Sequence, residues 1–263
     1  MDLGLRGKVA LVAAASKGLG RAVAHELAAE GANLALCARD AGTLESTARA
    51  IAAATGVEVL AQPADVSDAR AIGSFVDATL ERFGRVDVLV TNSGGPPPGR
   101  FEVLDAAAWQ QATNLTLFAP IEFARRVLPV MRERRWGRIL NVTSIAVKQP
   151  IDNLMLSNSL RAAVTGWART LANEVAAEGI TVNNLMPGFT RTERMDQLAQ
   201  DAAKREGITP AEATARWERT IPMGRLGDTR EFAALAAFLA SERASYITGT
   251  SIPVDGGWIR ALL

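Results

Sequence analysis

Residues 9–20 read Val9-Ala10-Leu11-Val12-Ala13-Ala14-Ala15-Ser16-Lys17-Gly18-Leu19-Gly20, and this stretch decides the fold. Its first half is a short apolar run of the kind that forms a buried strand. Its second half places Gly18 and Gly20 at the start of a segment in which Leu19, Val23 and Leu27 recur every four positions. That spacing puts the three side chains on one face of a helix. A strand that turns through glycines into a helix presents the helix's unbonded N–H groups and its dipole to the turn, where a pyrophosphate can sit.

Outward from this unit the pattern repeats. Short apolar or β-branched runs at 34–37, 57–61, 86–91, 138–142, 181–185 and 251–254 join the first strand at 9–13, and alanine-rich stretches with apolar spacings of three and four separate most of them. Strict alternation of strand and helix requires crossover connections, hence a parallel sheet covered on both faces. The expected fold is α/β: a Rossmann-type doubly wound parallel sheet of about seven strands in three layers, forming one domain over residues 1–263. Two late helix starts are explicit. Thr209-Pro210-Ala211-Glu212 combines a cap, a proline at the first helical position and an acid at the third, and Asp228…Glu231 repeats the cap-to-acid spacing. The one long departure from alternation, about 189–226, is expected to form a helical lid over the cleft. Its six basic and six acidic residues between Arg191 and Arg219 cancel.

Composition narrows the function classes. A chain of 263 residues with 48% hydrophobic and 22% charged residues has ample material for one core. Twenty-nine basic against 28 acidic residues give no electrostatic reason to expect nucleic acid or an anionic membrane as partner. One cysteine, Cys37, excludes an internal disulfide, and one histidine, His25, leaves no His/Cys metal set. Arg6 and Lys8 precede the apolar run 9–15, which is at the short limit for a signal-peptide core and reads as a strand. No run approaches a membrane span, and a soluble, cytoplasmic protein is expected.

In order along the chain stand Gly18-Leu19-Gly20, Asp65-Val66 after the third strand, Asn92-Ser93-Gly94-Gly95 after the fourth, Asn114, Ser144, Pro187-Gly188-Phe189-Thr190-Arg191-Thr192 and Asp255-Gly256-Gly257. This ordered set resembles the short-chain dehydrogenase/reductase family over nearly the whole chain. The family's opening pattern is Thr-Gly-x-x-x-Gly-x-Gly, and here Ala13 and Ala14 occupy the first two positions. The resemblance implies a dinucleotide held by Ala14, Ser16, Lys17, Gly18, Leu19 and Gly20, by Arg39, by Asp65 and Val66 at the adenine, by Asn92 and Gly94, and by Pro187, Gly188, Thr190 and Thr192. An added methyl at position 14 tolerates positive φ poorly, so a weakened or shifted turn is expected. At the end of the second strand stand Ala38 and Arg39 where an NAD site usually carries an acid, and Lys17 lies in the glycine turn. Two cations favour NADP(H) over NAD(H), with Asp40 as a mild counterweight.

The family's usual chemistry runs on asparagine, serine, tyrosine and lysine, and the resemblance assigns Asn114 and Ser144 to the first two. Thirteen residues after Ser144 stands Ser157, and four further stands Arg161, in Leu156-Ser157-Asn158-Ser159-Leu160-Arg161-Ala162-Ala163-Val164. The only tyrosine, Tyr246, is far away in sequence. Arg161 retains a charge suited to ribose hydroxyls but does not serve as an acid, whereas Ser157 is too short and too weak an acid to replace a phenol directly. General acid catalysis contributes about 10²–10⁴-fold, so its loss leaves slower turnover open. The Tyr-to-Ser and Lys-to-Arg changes, Ala13-Ala14 and Pro96-Pro97-Pro98 together look like a divergent branch similar to 3-oxoacyl-[acyl-carrier-protein] reductases. Lys148 and Asp152 are stand-in candidates that read first as exposed loop charges. His25 reads as surface, Cys37 as core, and Trp109, Trp136, Trp167 and Trp258 as packing, with Trp217 on the lid beside substrate. The expected function is NADP(H)-dependent oxidation or reduction of a small carbonyl or alcohol. The alternative is nucleotide or metabolite binding with little or no redox turnover. The resemblance also implies a homo-oligomer, tetramer or dimer, through helices at roughly 106–134 and 156–178.

Overall fold

The computed structural model describes residues 2–262. Strands β1 (Val9–Val12), β2 (Asn33–Ala38), β3 (Val59–Pro63), β4 (Val88–Thr91), β5 (Gly137–Val142), β6 (Ile180–Pro187) and β7 (Ser251–Val254) form one sheet in the order β3-β2-β1-β4-β5-β6-β7. Every neighbouring pair is parallel. The doubly wound sheet is the one expected, with boundaries moved by a residue or two. The fourth strand starts after Asp87 because that fully buried carboxylate accepts from the Val9 amide at 2.8 Å and from both forks of Arg85.

Nine α-helices are described: α1 (Gly18–Ala29), α2 (Ala41–Thr55), α3 (Ala69–Phe83), α4 (Ala106–Thr113), α5 (Ala119–Arg134), α6 (Met155–Val175), α7 (Glu193–Glu206), α8 (Pro210–Thr220) and α9 (Thr229–Ala240). Period-two alternation along the strands divides the core between the two faces of the sheet. Ala10 and Val12 of β1 pack with Val23 and Leu27 of α1 and Phe232 and Ala236 of α9. Leu11 packs on the opposite face with Phe75 of α3, Phe123 of α5 and Ala172 of α6. Phe75 and Phe123 meet edge to face at 6.4 Å.

The helix expected at 106–134 is broken. Between α4 and α5 the backbone widens into a π turn, Asn114–Phe118. Pro120, at the start of α5, supplies the reason. It has no N–H to return to the Thr116 carbonyl, and its ring crowds that carbonyl. Both predicted late helix starts are capping boxes, Thr209 with Glu212 and Asp228 with Glu231.

Residues 189–226 form the helices α7 and α8, which share a small core of Ala199, Ala202 and Ala213 with Ile208 and Trp217 packed against it. A parallel bridge between Thr190 and Gly227 closes the base of this arm. Among the described residues no helix is long and apolar enough to cross a membrane, and no group of three or more His, Cys, Asp or Glu side chains is placed to hold a metal ion.

Candidate active site

The strand order reverses between β1 and β4, and in doubly wound sheets the crevice beyond the carboxyl ends at such a point holds the ligand. One hydrogen bond spans it: Asn92 Nδ2, just past β4, donates to the Ala14 carbonyl, just past β1, at 3.4 Å. Ala14 adopts φ 50° and Gly18 φ 57°. The turn therefore keeps a left-handed corner at position 14 despite the methyl. Gly20 is demanded by packing, because a Cβ there would lie 2.4 Å from the Ala14 carbonyl oxygen and 2.8 Å from Asn92 Nδ2. Gly94 is different: a Cβ would meet nothing within 4 Å, so no atom of the described residues requires its bareness. Helix α1 begins after Lys17, whose side chain makes no cap hydrogen bond, and among the described residues no side chain accepts from its first N–H groups. Ser16 is buried, and its carbonyl accepts from Thr47 Oγ1 at 2.9 Å. Leu19 packs half-buried against the core.

Around the end of β2 four charges alternate. Lys17 and Arg39 are exposed. The Asp40 carboxylate caps α2 by accepting from the Thr43 amide at 2.7 Å, and hydrogen bonds from Thr43, with a smaller pull from Lys17, hold it below the usual carboxylate range. Asp65 accepts from the Ser67 amide and hydroxyl, which lower its pKa with Arg39 as a further cause. Asp40 is thus committed to a helix cap, which answers the counterweight it posed in sequence. Val66 beside Asp65 is buried.

Ser144 follows β5 and starts a short 3₁₀ turn by accepting from the Ala146 amide at 3.1 Å, which leaves its own proton free to donate. Asn114 opens the π turn, and its Oδ1 accepts from Gln110 Nε2 at 3.0 Å. Ser157 and Arg161 lie one turn apart on α6. Ser157 is half-buried. Arg161 is buried, and its Nη1 donates to the Val142 carbonyl at 2.6 Å, two residues before Ser144. Desolvation pushes its pKa down to about 10. Lys148 and Asp152 are exposed, His25 is exposed and Cys37 is buried, its thiol pushed up to about 12 by desolvation.

On the far side Gly188 packs against Asp255, where a Cβ would lie 2.6 Å from its Cα. Thr190 is buried beside Pro187-Gly188, and Thr192 Oγ1 caps α7 at the Met195 amide, 3.3 Å. The arm then crosses the crevice. Glu193 lies 3.7 Å from Arg21 of α1, and a Cβ on Gly18 would be 3.8 Å from the Glu193 carboxylate. Arg194 donates to the Pro96 carbonyl of the triple-proline loop at 3.4 Å. Phe189 stacks on Trp217 at 5.9 Å and meets Trp258 edge-on at 5.6 Å. Trp217, expected beside substrate, thus spends a ring face on packing. Sequence reasoning missed Thr116, whose buried hydroxyl has no partner, and the Val142 carbonyl that holds Arg161.

Comparison with known proteins places the chain among close relatives. The enoyl-(acyl carrier protein) reductase family model matches residues 13–259. The chain is 32% identical to the NADPH-dependent reductase BacG of Bacillus subtilis over 97% of its own length and 99% of that protein. It is 34% identical to 3-oxoacyl-[acyl-carrier-protein] reductase FabG of Escherichia coli, covering 97% and 98%. The crystal structure of L-sorbose reductase from Gluconobacter frateurii, complexed with NADPH and L-sorbose, superposes over 100% of both chains with TM-score 0.96 at 33% identity.

Proposed function

The chain belongs to the short-chain dehydrogenase/reductase family, and from that premise we propose that it is an NADP(H)-dependent oxidoreductase acting on a small carbonyl or alcohol. The observation that carries this reading is the crevice edge at the β1/β4 reversal: an uncapped α1 N-terminus beside a glycine, Gly94, that no atom of the described residues needs bare. Those features fit a dinucleotide. The pyrophosphate would lie on Gly18, Leu19 and Gly20 with Ala14 and Ser16 shaping the turn, the 2′-phosphate between Lys17 and Arg39, and the adenine near Asp65 and Val66. Asn92, Gly94, Pro187, Gly188, Thr190 and Thr192 would line the remainder. The relatives named for NADPH support the phosphorylated cofactor. NADPH, when bound, supplies the hydride.

The protein's own contribution is orientation and proton handling. Ser144 donates its free proton to the substrate oxygen and polarises the carbonyl. Ser157 holds a water in place of a phenol, and Asn114 orders the water beyond it. Arg161 keeps a fixed positive charge beneath the crevice and ties down the strand end that carries Ser144. Helices α7 and α8 act as a lid, fastened by Glu193 and Arg194. Steady-state NADPH oxidation over a panel of ketones, ketoses and 3-oxoacyl thioesters tests the reading. Turnover of at least one carbonyl class is expected, and none at all with NADPH demonstrably bound overturns it.

A second reading, nucleotide or metabolite binding with little turnover, draws on the serine at position 157. The double variant Ser157→Tyr/Arg161→Lys separates the two. A gain of orders of magnitude marks the native site as a weakened reductase, whereas no gain assigns the serine and arginine to another mechanism or to binding alone. A tetramer or dimer is proposed from the family resemblance, with light scattering as the check.

A further inference from the structure

The arm turns one cation inward without giving it a counter-charge. Arg191 pairs with Glu218 at 3.2 Å, and Arg205 and Arg216 both pair with Glu206 at 2.8 Å. Arg194, at the start of α7, is half-buried and leans across the crevice onto the loop after β4. Among the described residues no carboxylate pairs with its guanidinium. Its neighbour Glu193 is turned the other way, toward Arg21 of α1. Arg194 makes two hydrogen bonds, from Nη2 to the Pro96 carbonyl and from Nη1 to Gln197 Oε1, both at 3.4 Å. Strong N–H···O bonds fall at about 2.7–3.2 Å, so both contacts are weak. A guanidinium has five N–H donors, and most of this one's capacity is unspent.

The wall under Arg194 is stiff and continuous with the loops that carry the polar side chains. Gly95 lies directly beneath the guanidinium, where a Cβ would be 3.8 Å from Nε and Nη2. Pro96-Pro97-Pro98 follow, with fixed φ and no N–H to offer. At Gly99 the loop is tied to the segment after Ser144: the Gly99 amide donates to the Asn153 carbonyl at 2.8 Å, and Gly99 forms a parallel bridge with Leu154. Asn158, next to Ser157, steadies the same segment by donating to the Ile151 carbonyl at 2.9 Å. The cation therefore overhangs the bank of the crevice that leads to Ser144 and Ser157. Glu193 stands on the other bank, beside Gly18.

A guanidinium so placed selects for a carboxylate, which accepts two of its N–H groups side by side and cancels its charge. A neutral acceptor replaces the hydrogen bonds alone. We infer that Arg194 is a specificity-determining residue and that the substrate is a small oxo acid, with its carbonyl at Ser144 and its carboxylate on Arg194. This rests on the oxidoreductase reading and narrows it. The carboxylate takes the place of the Pro96 and Gln197 contacts, so the substrate itself seats the arm. Because the arm's remaining charges balance, the selection acts at contact and not by long-range steering.

The test compares pyruvate and acetoacetate with their methyl esters and with acetone as substrates of the full chain. NADPH oxidation is expected to favour the acids over the esters by about ten- to a hundredfold in kcat/KM, the value of a charge-assisted hydrogen bond. Arg194→Gln is expected to lose that preference through KM, Arg194→Lys to recover part of it, and neither to change NADPH affinity. Oxamate and ethyl oxamate, titrated calorimetrically into the NADPH-loaded chain, give the same comparison without turnover. Esters accepted as well as acids, or equal rises in KM for both in Arg194→Gln, overturn the inference and leave the oxidoreductase reading intact. Loss of NADPH affinity in that variant assigns the guanidinium to the pyrophosphate and also overturns it. No turnover of any carbonyl overturns the oxidoreductase reading instead, and the oxamate titration then still decides whether Arg194 holds a carboxylate.

Discussion

Arg161 Nη1 and the Val142 carbonyl are joined by a hydrogen bond of 2.6 Å, which places a buried guanidinium under the strand end that delivers Ser144. Arg161 is therefore a strut as well as a charge. Its removal should separate stability from turnover.

Burial holds the Arg161 pKa at about 10, below the ordinary guanidinium value. The folded chain therefore gives up this proton before the unfolded chain does. Between pH 10 and the ordinary arginine pKa the unfolded state binds more protons, and this group's contribution to stability rises with pH. Below pH 10 it is a constant cost. Arg161→Met is expected to relieve that cost at pH 7, stabilising the fold by about 1–3 kcal/mol, while kcat/KM falls. Urea unfolding beside NADPH oxidation checks both halves, and a loss of stability would show the strut to outweigh the buried charge.

Ala14 occupies φ 50°, a conformation that costs a residue with a Cβ about 1–2 kcal/mol. Ala14→Gly is expected to stabilise the chain by about 1 kcal/mol. Gly20→Ala should do the reverse and eliminate dinucleotide affinity, since its Cβ would collide with the Ala14 carbonyl. Denaturant midpoints and isothermal titration with NADPH measure the two.

If Lys17 and Arg39 grip the 2′-phosphate, Arg39→Ala should weaken NADPH by about tenfold or more, the loss of a charge-assisted hydrogen bond. NADH affinity should hardly move. Equal losses for both cofactors would assign Arg39 to another role.

Glu231 accepts from Arg225 at 2.6 and 2.9 Å and from the Asp228 amide at 2.7 Å, and these bonds, the Arg225 side chain first, lower its pKa to about 2. A depressed carboxylate stabilises the fold above its ordinary pKa, and that contribution disappears as pH falls toward 2. Glu231→Gln is expected to lower the melting temperature at pH 7, with the gap to wild type closing through pH 4 to 2. A gap independent of pH would locate the effect in the neutral cap alone.

The seven strands were legible because parallel sheets buried on both faces leave bare apolar runs, and β1, β5 and β7 were bounded to within a residue; their order in the sheet was not read from the sequence. The crevice at the β1/β4 reversal was legible from Gly18, Gly20 and Asn92, whose spacing encodes backbone geometry. Asn114 and Ser144 could be located by position, but no pattern told that Arg161 would turn inward to Val142, because rotamer choice depends on the packing of β5 and α6. The π turn was hidden for a related reason. A single proline at 120 alters hydrogen bonding one turn earlier, and its neighbours still look helical. The stacking of Trp217 on Phe189 was not legible because the two lie 28 residues apart across the base of the arm, beyond the reach of periodicity.

That aromatic pair has an experimental use. Phe189, Trp217 and Trp258 join α8 of the arm to the segment after β7 in one contiguous aromatic cluster. Any swing of the arm away from the sheet must either part the Trp217 and Phe189 rings or carry the chain end along. The two indoles would then trade a packed environment for a wetter one together, shifting their emission to the red. The molecule therefore carries its own optical gauge of arm position, readable in a stopped-flow fluorimeter without attaching a dye.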